Sequence, residues 1–438
     1  MAAVLPYGIY DADNHFNEPL DLYERYIDPA LRDKAIRFVT APDGNRIQLY
    51  AGKPSKFTNT QVVYTDEQLA EMLGAQPSSL RAETDATVRD DAVGEMPGLL
   101  LNRLNPLRGL DDAARAEVVA QFREQAESYH TRDRRLALMD EQGIDVAVMY
   151  PARARYEIEF DDDIGAMYAN IRAYNRWIHE EIGYAHKDRM YLPPYLALAD
   201  VDLAVQELDT VLEQGAPLIQ IRSGHAHGGA GDPLGGRSVA DPIFDPFWAR
   251  VNEAHGRVCV HLGPNLYQRA GALWSEDPDV TFGDFDAFQW AMYWGDRPAM
   301  ELTAGMILHN LFGRFPNLRV LLSEMGTVWL PYTLRKMDHA YVMGRKVKWS
   351  ADGRLDVRPS EVFRRHFLVA PFPEENVRRV VDDVGIDSIV FGSDFPHGEG
   401  LAYPERWAES QLAGFEDDDV KRIMRDTLAG FLDDARAG

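Results

Sequence analysis

The chain has 438 residues, with 46 basic against 70 acidic side chains and a formal charge of −24 at pH 7. This balance gives no support for binding nucleic acid or an anionic membrane. The single cysteine, Cys259, excludes an intrachain disulfide, the first residues lack a signal-peptide pattern, and no apolar run approaches the roughly 18 residues of a membrane span. We therefore expect a cytoplasmic protein.

The first strand candidate lies in the stretch YDADNHFNEPLD, from Tyr10 to Asp21. Successive side chains of a strand point to opposite faces, so Asp11, Asp13 and His15 are predicted to share one face. Asp13 and His15 are either a pair of metal ligands or part of a solvated polar loop. Taken alone, the stretch favours the loop, because short motifs have many chance matches.

Apolar runs of strand length recur along the chain, and segments with helical periodicity follow them. The later strand candidates are 144–151, 190–198, 217–224, 257–263, 318–326, 366–372 and 387–397. Helical stripes are predicted at 164–178, 203–212, 377–384 and 420–431. Eight β/α units in this order predict a distorted (β/α)8 TIM barrel that forms a single domain over 1–438, with a doubly wound open sheet as the alternative.

Two segments interrupt this repeat. Residues from about 20 to 130 are predicted to be an insertion after strand 1, with a β-hairpin where alternating residues flank Asp43 and Gly44. Residues 264–298, after strand 5, are predicted to be a second, aromatic-rich insertion. Its rings either line a pocket or a subunit contact, or pack the insertion onto the barrel.

Polar residues occupy the ends of several predicted strands, where the working residues of a (β/α)8 barrel lie. They are His261 on the fifth strand, Glu324 on the sixth, and Asp394 and His397 on the eighth. Asp13, His15, His261 and Asp394 together offer two imidazoles and two carboxylates for one divalent cation, with a position left for water or substrate. This combination reverses the preference for a solvated loop at Asp13 and His15.

The stretches DADNHFNEP, VHLG and GSDFPHGEG, with RFPNLRVLLSEMG between them, resemble the amidohydrolase-related branch of the amidohydrolase superfamily. That branch contains the aminocarboxymuconate-semialdehyde decarboxylase-like enzymes. The resemblance covers nearly the whole chain, and it implies a distorted barrel, one zinc or manganese ion and a homodimer. Carried over to this sequence, it implies that the metal ligands are Asp13, His15, His261 and Asp394.

Two positions depart from the pattern of the superfamily. Binuclear members have a carboxylated lysine at the end of strand four, where this chain has Arg222, so we expect a mononuclear site. Many mononuclear relatives have a catalytic histidine at the end of strand six, where this chain has Glu324. A glutamate does not donate a proton as an imidazolium does, and the decarboxylase mechanism therefore loses support.

The resemblance and the residue types suggest roles for the remaining polar groups. Asp394 is predicted to move the proton of a metal-bound water, and His397 to orient Asp394 or to bind substrate. Arg222 either holds a substrate carboxylate or pairs with an acid. Glu324 is a base, an orienter of a ligand histidine, or a partner of Arg222, and His225 is substrate-facing or solvated.

The sequence thus predicts a metal-dependent hydrolase that uses metal-activated water on a small carbonyl compound, with or without a carboxyl group. The alternative is a metal-dependent, non-oxidative decarboxylase of an aromatic or unsaturated acid. A barrel without catalytic activity is the third hypothesis, and the presence of all four ligand types argues against it.

Overall fold

A computed structural model of the chain describes residues 5–40, 46–54, 96–152, 156–227, 235–263, 274, 287–293, 296–349 and 354–436. The strands of these segments are β1 Ile9–Phe16, β2 Arg37–Thr40, β3 Arg46–Tyr50, β4 Lys53–Pro54, β5 Ile144–Pro151, β6 Ala185–His186, β7 Met190–Tyr191, β8 Leu218–Arg222, β9 Ala226–His227, β10 Gly236–Arg237, β11 Arg257–His261, β12 Arg319–Ser323 and β13 Phe367–Val369.

The α-helices of the described segments mostly alternate with the long strands. They are α1 Leu22–Tyr26, α2 Asp112–Gln125, α3 Arg132–Glu141, α4 Tyr156–Glu159, α5 Ile164–Trp177, α6 Val201–Glu213, α7 Asp245–Glu253, α8 Ala287–Tyr293, α9 Asp296–Leu308, α10 Leu311–Arg314, α11 Leu330–Met343, α12 Pro359–His366, α13 Val377–Val384, α14 Pro404–Gln411, α15 Asp417–Lys421 and α16 Thr427–Arg436. No helix in the described segments combines the length and the apolar character needed to cross a membrane.

The fold is α/β, with two four-stranded sheets whose long strands run parallel. Their strand orders are β1-β5-β7-β6 and β13-β12-β11-β8. Three further parallel bridges continue these pairings. Tyr195 bridges Gln220, which links the end of the first sheet to β8, while Val369 bridges Ile389 and Asn14 bridges Phe395. The parallel pairings therefore run from β1 through both sheets and return to β1 through residues 389–395.

Most predicted strands are present, and the weak ones have a local cause. Residues 144–151 form β5 with the predicted bounds, whereas the third candidate shortens to Met190–Tyr191 before Pro193 and Pro194, which have no backbone N–H to donate. The eighth candidate contributes only isolated bridges. Asp394 there has a φ of 54°, which is not an extended conformation.

The predicted helices at 164–178, 203–212 and 377–384 correspond to α5, α6 and α13. Asp163 and Asp200 cap α5 and α6 by accepting the backbone N–H groups of Ala166 and Leu203. Gly215, just past α6, has a φ of 85°, as the sequence predicts for a residue that stops a helix. The stripe at 420–431 spans α15, a π-helical turn from Arg422 to Asp426, and α16.

Apolar side chains from successive parallel strands pack together in one buried cluster. Buried members of this interior cluster include Ala12, Val146, Val148, Tyr150, Tyr191, Leu218, Cys259, Leu321, Ala370 and Val390. Helix α16 adds Leu428, Phe431 and Leu432 to the same cluster. Since Phe431 also lies against the guanidinium of Arg257, at the start of β11, α16 covers the end of the strands opposite to the predicted site.

The hairpin predicted near residue 43 is confirmed, since β2 and β3 pair antiparallel from Arg37↔Leu49 to Thr40↔Arg46. Its turn, with Asp43 and Gly44, lies outside the described residues, as does 55–95 of the first predicted insertion. In the aromatic-rich segment the described rings of Trp274 and Phe288 are exposed and lie 5.4 Å apart. Four other aromatic residues of this segment fall outside the described residues, namely Tyr267, Phe282, Phe285 and Trp294.

Candidate metal centre

Polar side chains from four strand ends meet in one buried cluster. The Nε2 atom of His261 lies 3.2 Å from Asp13 Oδ1 and 3.1 Å from Glu324 Oε2. The Nε2 atom of His15 lies 3.1 Å from Asp394 Oδ1 and 3.9 Å from Asp13 Oδ1. The structure thus brings together the residues that the sequence proposed as metal ligands, and it adds Glu324 to their edge.

Strand β1 presents its two polar groups through an irregularity in its pairing with β5. The register shifts between Asp11 and Asn14, so strict alternation does not hold there. Asp13 and His15 reach the cluster, whereas the carboxylate of Asp11 accepts hydrogen bonds from Asn14 and Ser393. The expectation that Asp11 shares one face with the other two is therefore wrong, because the bulge turns it away.

The two acids contributed by the second half of the chain share a rare backbone conformation. Glu324 and Asp394 have φ values of 53° and 54° in the left-handed region, which non-glycine residues seldom adopt. Residues held there cost of order 1–3 kcal/mol each and cluster at functional sites. Gly392 also permits the approach of its segment to β1, since a Cβ atom at this position would lie 2.8 Å from the Cβ of Asp13.

The tautomer of His261 follows from its contacts. Its Nδ1 atom lies 2.6 Å from the backbone carbonyl oxygen of Leu262, and because that oxygen only accepts, Nδ1 carries the proton. The Nε2 lone pair then faces the oxygens of Asp13 and Glu324. The ring is held from one side by Tyr150, whose ring centroid lies 4.3 Å away.

Without a cation this arrangement is electrostatically unfavourable. Burial raises the pKa values of Asp13, Glu324 and Asp394, and that of Glu324 is raised well above its usual range because Asp394 and Asp13 add repulsion. Burial lowers the pKa of His15 well below its usual value, and its buried Nε2 atom has no hydrogen-bond partner in the described segments. A divalent cation would offset the repulsion and use this lone pair.

The spacing of the cluster fits such an ion. Candidate ligand atoms of Asp13, His15 and His261 all lie within 4.8 Å of one another, and so do those of His15, Glu324, Asp394 and His397. Ligands about 2.1 Å from a common ion are separated by about 3.0–3.4 Å, close to the nitrogen–oxygen distances observed here. The cluster could therefore hold a single divalent metal ion.

His397 lies beside the acid at the eighth strand position. Its Nδ1 atom is 2.7 Å from Asp394 Oδ1, and its ring centroid is 3.9 Å from that of His15. The side chain is 24% exposed, against 6% for Asp394. These contacts support the predicted orientation of Asp394 by His397, and they leave part of the imidazole facing open space.

Arg222 ends β8 and pairs in register with His261, one strand away. It is 91% buried, and its Nε and Nη1 atoms have no hydrogen-bond partner in the described part of the chain, while Nη2 donates to the carbonyl oxygen of His225 at 3.3 Å. No ion pair joins it to Glu324 within the described segments. His225 is half-buried, and burial, followed by the charge of Arg222, lowers its pKa to about 4.

Several residues near the cluster escaped the sequence reasoning. Glu157 is buried close enough to Arg222 for that charge to oppose the burial that raises its pKa, and it accepts a 2.5 Å hydrogen bond from Tyr195. Tyr150 could have been found, because it shares the inward parity of Val146 and Val148 at the end of an apolar run. No pattern in the sequence pointed to Glu157 or to Arg135, which lies behind β1.

A protein-family model described as Amidohydrolase matches residues 10–429. Gamma-resorcylate decarboxylase from Polaromonas sp. (strain JS666 / ATCC BAA-500) is 23% identical over 297 residues, which cover 64% of this chain and 81% of that protein. An amidohydrolase of Mycobacterium avium subsp. paratuberculosis K-10 matches 98% of this chain and 100% of its own, with a TM-score of 0.75 and 27% identity.

A dihydroxybenzoic acid decarboxylase from Polaromonas sp. JS666, solved with bound manganese and the inhibitor 2-nitroresorcinol, is also similar in structure. Its TM-score is 0.54 at 19% identity, and the match covers 72% of this chain and 90% of that chain. At this identity the likeness concerns the fold.

Proposed function

Since the chain belongs to the amidohydrolase family, we propose that it is a metal-dependent decarboxylase that removes the carboxyl group of an aromatic or unsaturated acid without oxidation. The observation that carries this proposal is the buried cluster of three carboxylates and two imidazoles, which is electrostatically incomplete without a cation. The hydrolase favoured by the sequence becomes the second candidate, because the similar proteins whose names state a reaction are decarboxylases.

The proposal includes the architecture that positions the cluster. The circuit of parallel pairings supports a closed, distorted (β/α)8 barrel in a single domain, with insertions at about 20–130 and 264–298. The cluster then lies at the carboxyl ends of the barrel strands, the end at which such barrels carry their chemistry. A homodimer and a cytoplasmic location stay predictions.

We assign the metal to Asp13, His15, His261 and Asp394. When bound there, a divalent ion would polarise the substrate's carboxylate and a neighbouring oxygen. Two carboxylates in this set suit manganese as well as zinc, and manganese is the ion bound in the similar decarboxylase structure. The Nδ1–H of His261 is fixed by Leu262, which keeps the Nε2 lone pair directed at the cluster.

Decarboxylation breaks the bond between the substrate carbon and its carboxyl group, leaves the electron pair on that carbon and requires one proton to replace carbon dioxide. We assign delivery of that proton to Glu324, whose pKa is raised well above its usual range by burial and by two neighbouring acids. The protonated carboxyl can donate where an imidazolium serves in other relatives. Asp394, held by His397, keeps its oxygen directed toward the same space.

Arg222 and His225 complete the proposed site as substrate-binding groups. Two nitrogen atoms of the buried guanidinium have no acceptor among the described residues, and a planar acid or phenolate oxygen would supply one. Neutral His225 lies beside it without adding charge. Replacement of Arg222 with Lys should raise KM more than it lowers kcat, because lysine keeps the charge and loses the two-pronged geometry.

The test is product analysis with manganese-reconstituted protein. Incubated with 2,6-dihydroxybenzoate and related hydroxybenzoates in deuterium oxide, a decarboxylase releases carbon dioxide and leaves one deuteron on the vacated carbon. A hydrolase would instead incorporate labelled oxygen from water into an ester, lactone or amide substrate without release of carbon dioxide. Protein that retains less than about half an equivalent of metal after reconstitution would contradict both.

A further inference from the structure

A buried arginine lies behind β1, on the side away from the metal cluster. Arg135, on α3, is fully buried, and its Nη2 atom donates to the backbone carbonyl oxygen of His15 at 2.8 Å. Its Nη1 atom donates to Asn14 Oδ1 at 3.1 Å, and Nε donates to the carbonyl oxygen of Ser128 at 2.9 Å. The guanidinium therefore donates hydrogen bonds to β1 and to the backbone just before α3.

The same guanidinium reaches the other segment that carries a proposed ligand. Its central carbon lies 5.1 Å from the ring centroid of Phe395, the residue after Asp394. The backbone N–H of His15 donates to the carbonyl oxygen of Phe395 at 2.8 Å. Arg135 thus contacts both chain segments at the point where they are hydrogen-bonded to each other.

Asn14 extends these contacts to a buried acid. Its carbonyl oxygen faces Arg135, and its amide nitrogen donates to Asp11 Oδ2 at 3.0 Å and to Ser393 Oγ at 3.3 Å. Only this orientation of the amide satisfies both neighbours, because the guanidinium has no acceptor and an ionised carboxylate has no donor. The amide therefore links the guanidinium of Arg135 to the carboxyl group of Asp11.

Asp11 closes the network across the two segments. It accepts the backbone N–H groups of Asp13 at 3.1 Å and Ser393 at 2.9 Å, and it accepts the hydroxyl of Ser393 at 2.5 Å. Asp394 N and Ser393 N both lie within hydrogen-bond distance of the carbonyl oxygen of Asp13. The series of hydrogen bonds from Arg135 to Ser393 consequently joins β1 to the segment 393–395 on the side away from the metal cluster.

We propose that Arg135, through Asn14, Asp11 and Ser393, is a positioning residue that holds Asp13 and His15 at a fixed distance from Asp394 before any metal binds. The two segments need to be held together because their buried carboxylates repel each other on the metal side of β1. Arg135 and the three residues of its network are all fully buried. This inference rests on the proposed metal ligands and concerns how they are preorganised.

The experiment compares the manganese affinity of the parent with that of Arg135→Met by calorimetry, together with the thermal unfolding of the metal-free proteins. Arg257→Met is the matched control, since Arg257 is also buried, donates to the carbonyl oxygens of His255 and Asn317, and lies beside an aromatic ring at the opposite end of the strands. We expect Arg135→Met to weaken manganese binding by about 10–100-fold, and Arg257→Met to leave the affinity nearly unchanged at a similar loss of stability.

Two milder variants keep the test decisive if Arg135→Met does not fold. Arg135→Lys should recover part of the affinity because it retains the charge, and Ser393→Ala should weaken binding in the same direction by a smaller factor. Parent-like affinity in Arg135→Lys, Ser393→Ala and any folded Arg135→Met would overturn the positioning role alone. A parent that binds no manganese would overturn the metal centre itself, so the two failures are distinguishable.

Discussion

The two sides of β1 carry aspartates only two positions apart, and their surroundings are opposite. Asp11, on the back, is met by four donors from Asp13, Asn14 and Ser393. Asp13, on the front, faces the unprotonated nitrogen of His261 and lies near two more acids, Asp394 and Glu324. Burial raises the pKa of both carboxyls, to about 7 for Asp11 in spite of its donors.

The difference separates a structural acid from a functional one. A buried carboxylate that is surrounded by donors fixes the backbone around it, since each hydrogen bond would be lost if the segments moved apart. A buried carboxylate that is surrounded by acceptors and other acids is stable only when something positive joins it. Side chains on one short strand can thus have different roles because a bulge turns them to different partners.

The largest effect is expected from removing a carboxylate from the metal side of β1. Asp394→Asn should lower manganese affinity by at least about 100-fold, because even outer partners of a ligand cost about 10–100-fold. The metal-free variant should unfold at a higher temperature than the parent, since one of three repelling acids is gone. Metal titration and thermal unfolding check both statements, and parent-like affinity would rule Asp394 out as a ligand.

Manganese binding should release protons from the carboxyl groups on the metal side of β1. Burial raises the pKa values of Asp13 and Asp394, the two acids among the proposed ligands, and a cation favours their ionised forms. Manganese affinity should therefore rise with pH until both carboxyls are ionised in the metal-free protein. Calorimetry in two buffers of different ionisation enthalpy measures the release, and equal heats in both buffers would contradict it.

A substitution at Asp11, on the back of β1, should instead lower the stability of the metal-free protein. Asp11→Asn places an amide among four donors and should lower the free energy of unfolding of the metal-free protein by about 2 kcal/mol or more. The control is Asp13→Asn, which removes repulsion and should leave this free energy equal or higher. Urea denaturation of both variants measures these free energies. An equal loss of stability in both would contradict the different roles of Asp11 and Asp13.

The smallest effect is expected one layer beneath the cluster. Cys259 is fully buried in the apolar interior, where burial raises the pKa of its thiol to about 12. Because the thiol form persists up to that pH, iodoacetamide should not modify the folded protein at pH 8, whereas denatured protein should react at this site. Labelling of the native chain, followed by mass spectrometry, would detect a reactive thiol.

The sequence predicted the parts of the molecule that depend on period and position. Alternation and apolar runs located β5, β8, β11 and β12 closely, and strand ends pointed to His261 and Asp394 before any contact was known. The cluster could be predicted because side chains at carboxyl ends of parallel strands converge whatever the intervening sequence is.

What the sequence did not predict depends on local breaks in regularity and on long-range pairs. The bulge that separates Asp11 from Asp13 has no signature in YDADNHF. The left-handed φ of Glu324, just after β12, likewise has no signature in the sequence. Arg135 looks like any helical arginine until its partners, more than a hundred residues away, are known. Glu157 likewise gains meaning only from the burial of Arg222.

Helix α16 has a consequence for how the protein is made. Leu428, Phe431 and Leu432 pack in the same apolar cluster as residues from strands that are all synthesised earlier. During translation that cluster therefore stays incomplete until residue 432 has emerged, and the growing chain exposes apolar side chains to water for most of its synthesis. Chaperone dependence should accordingly be greatest for chains arrested just before α16, a vulnerability set by the order of the sequence.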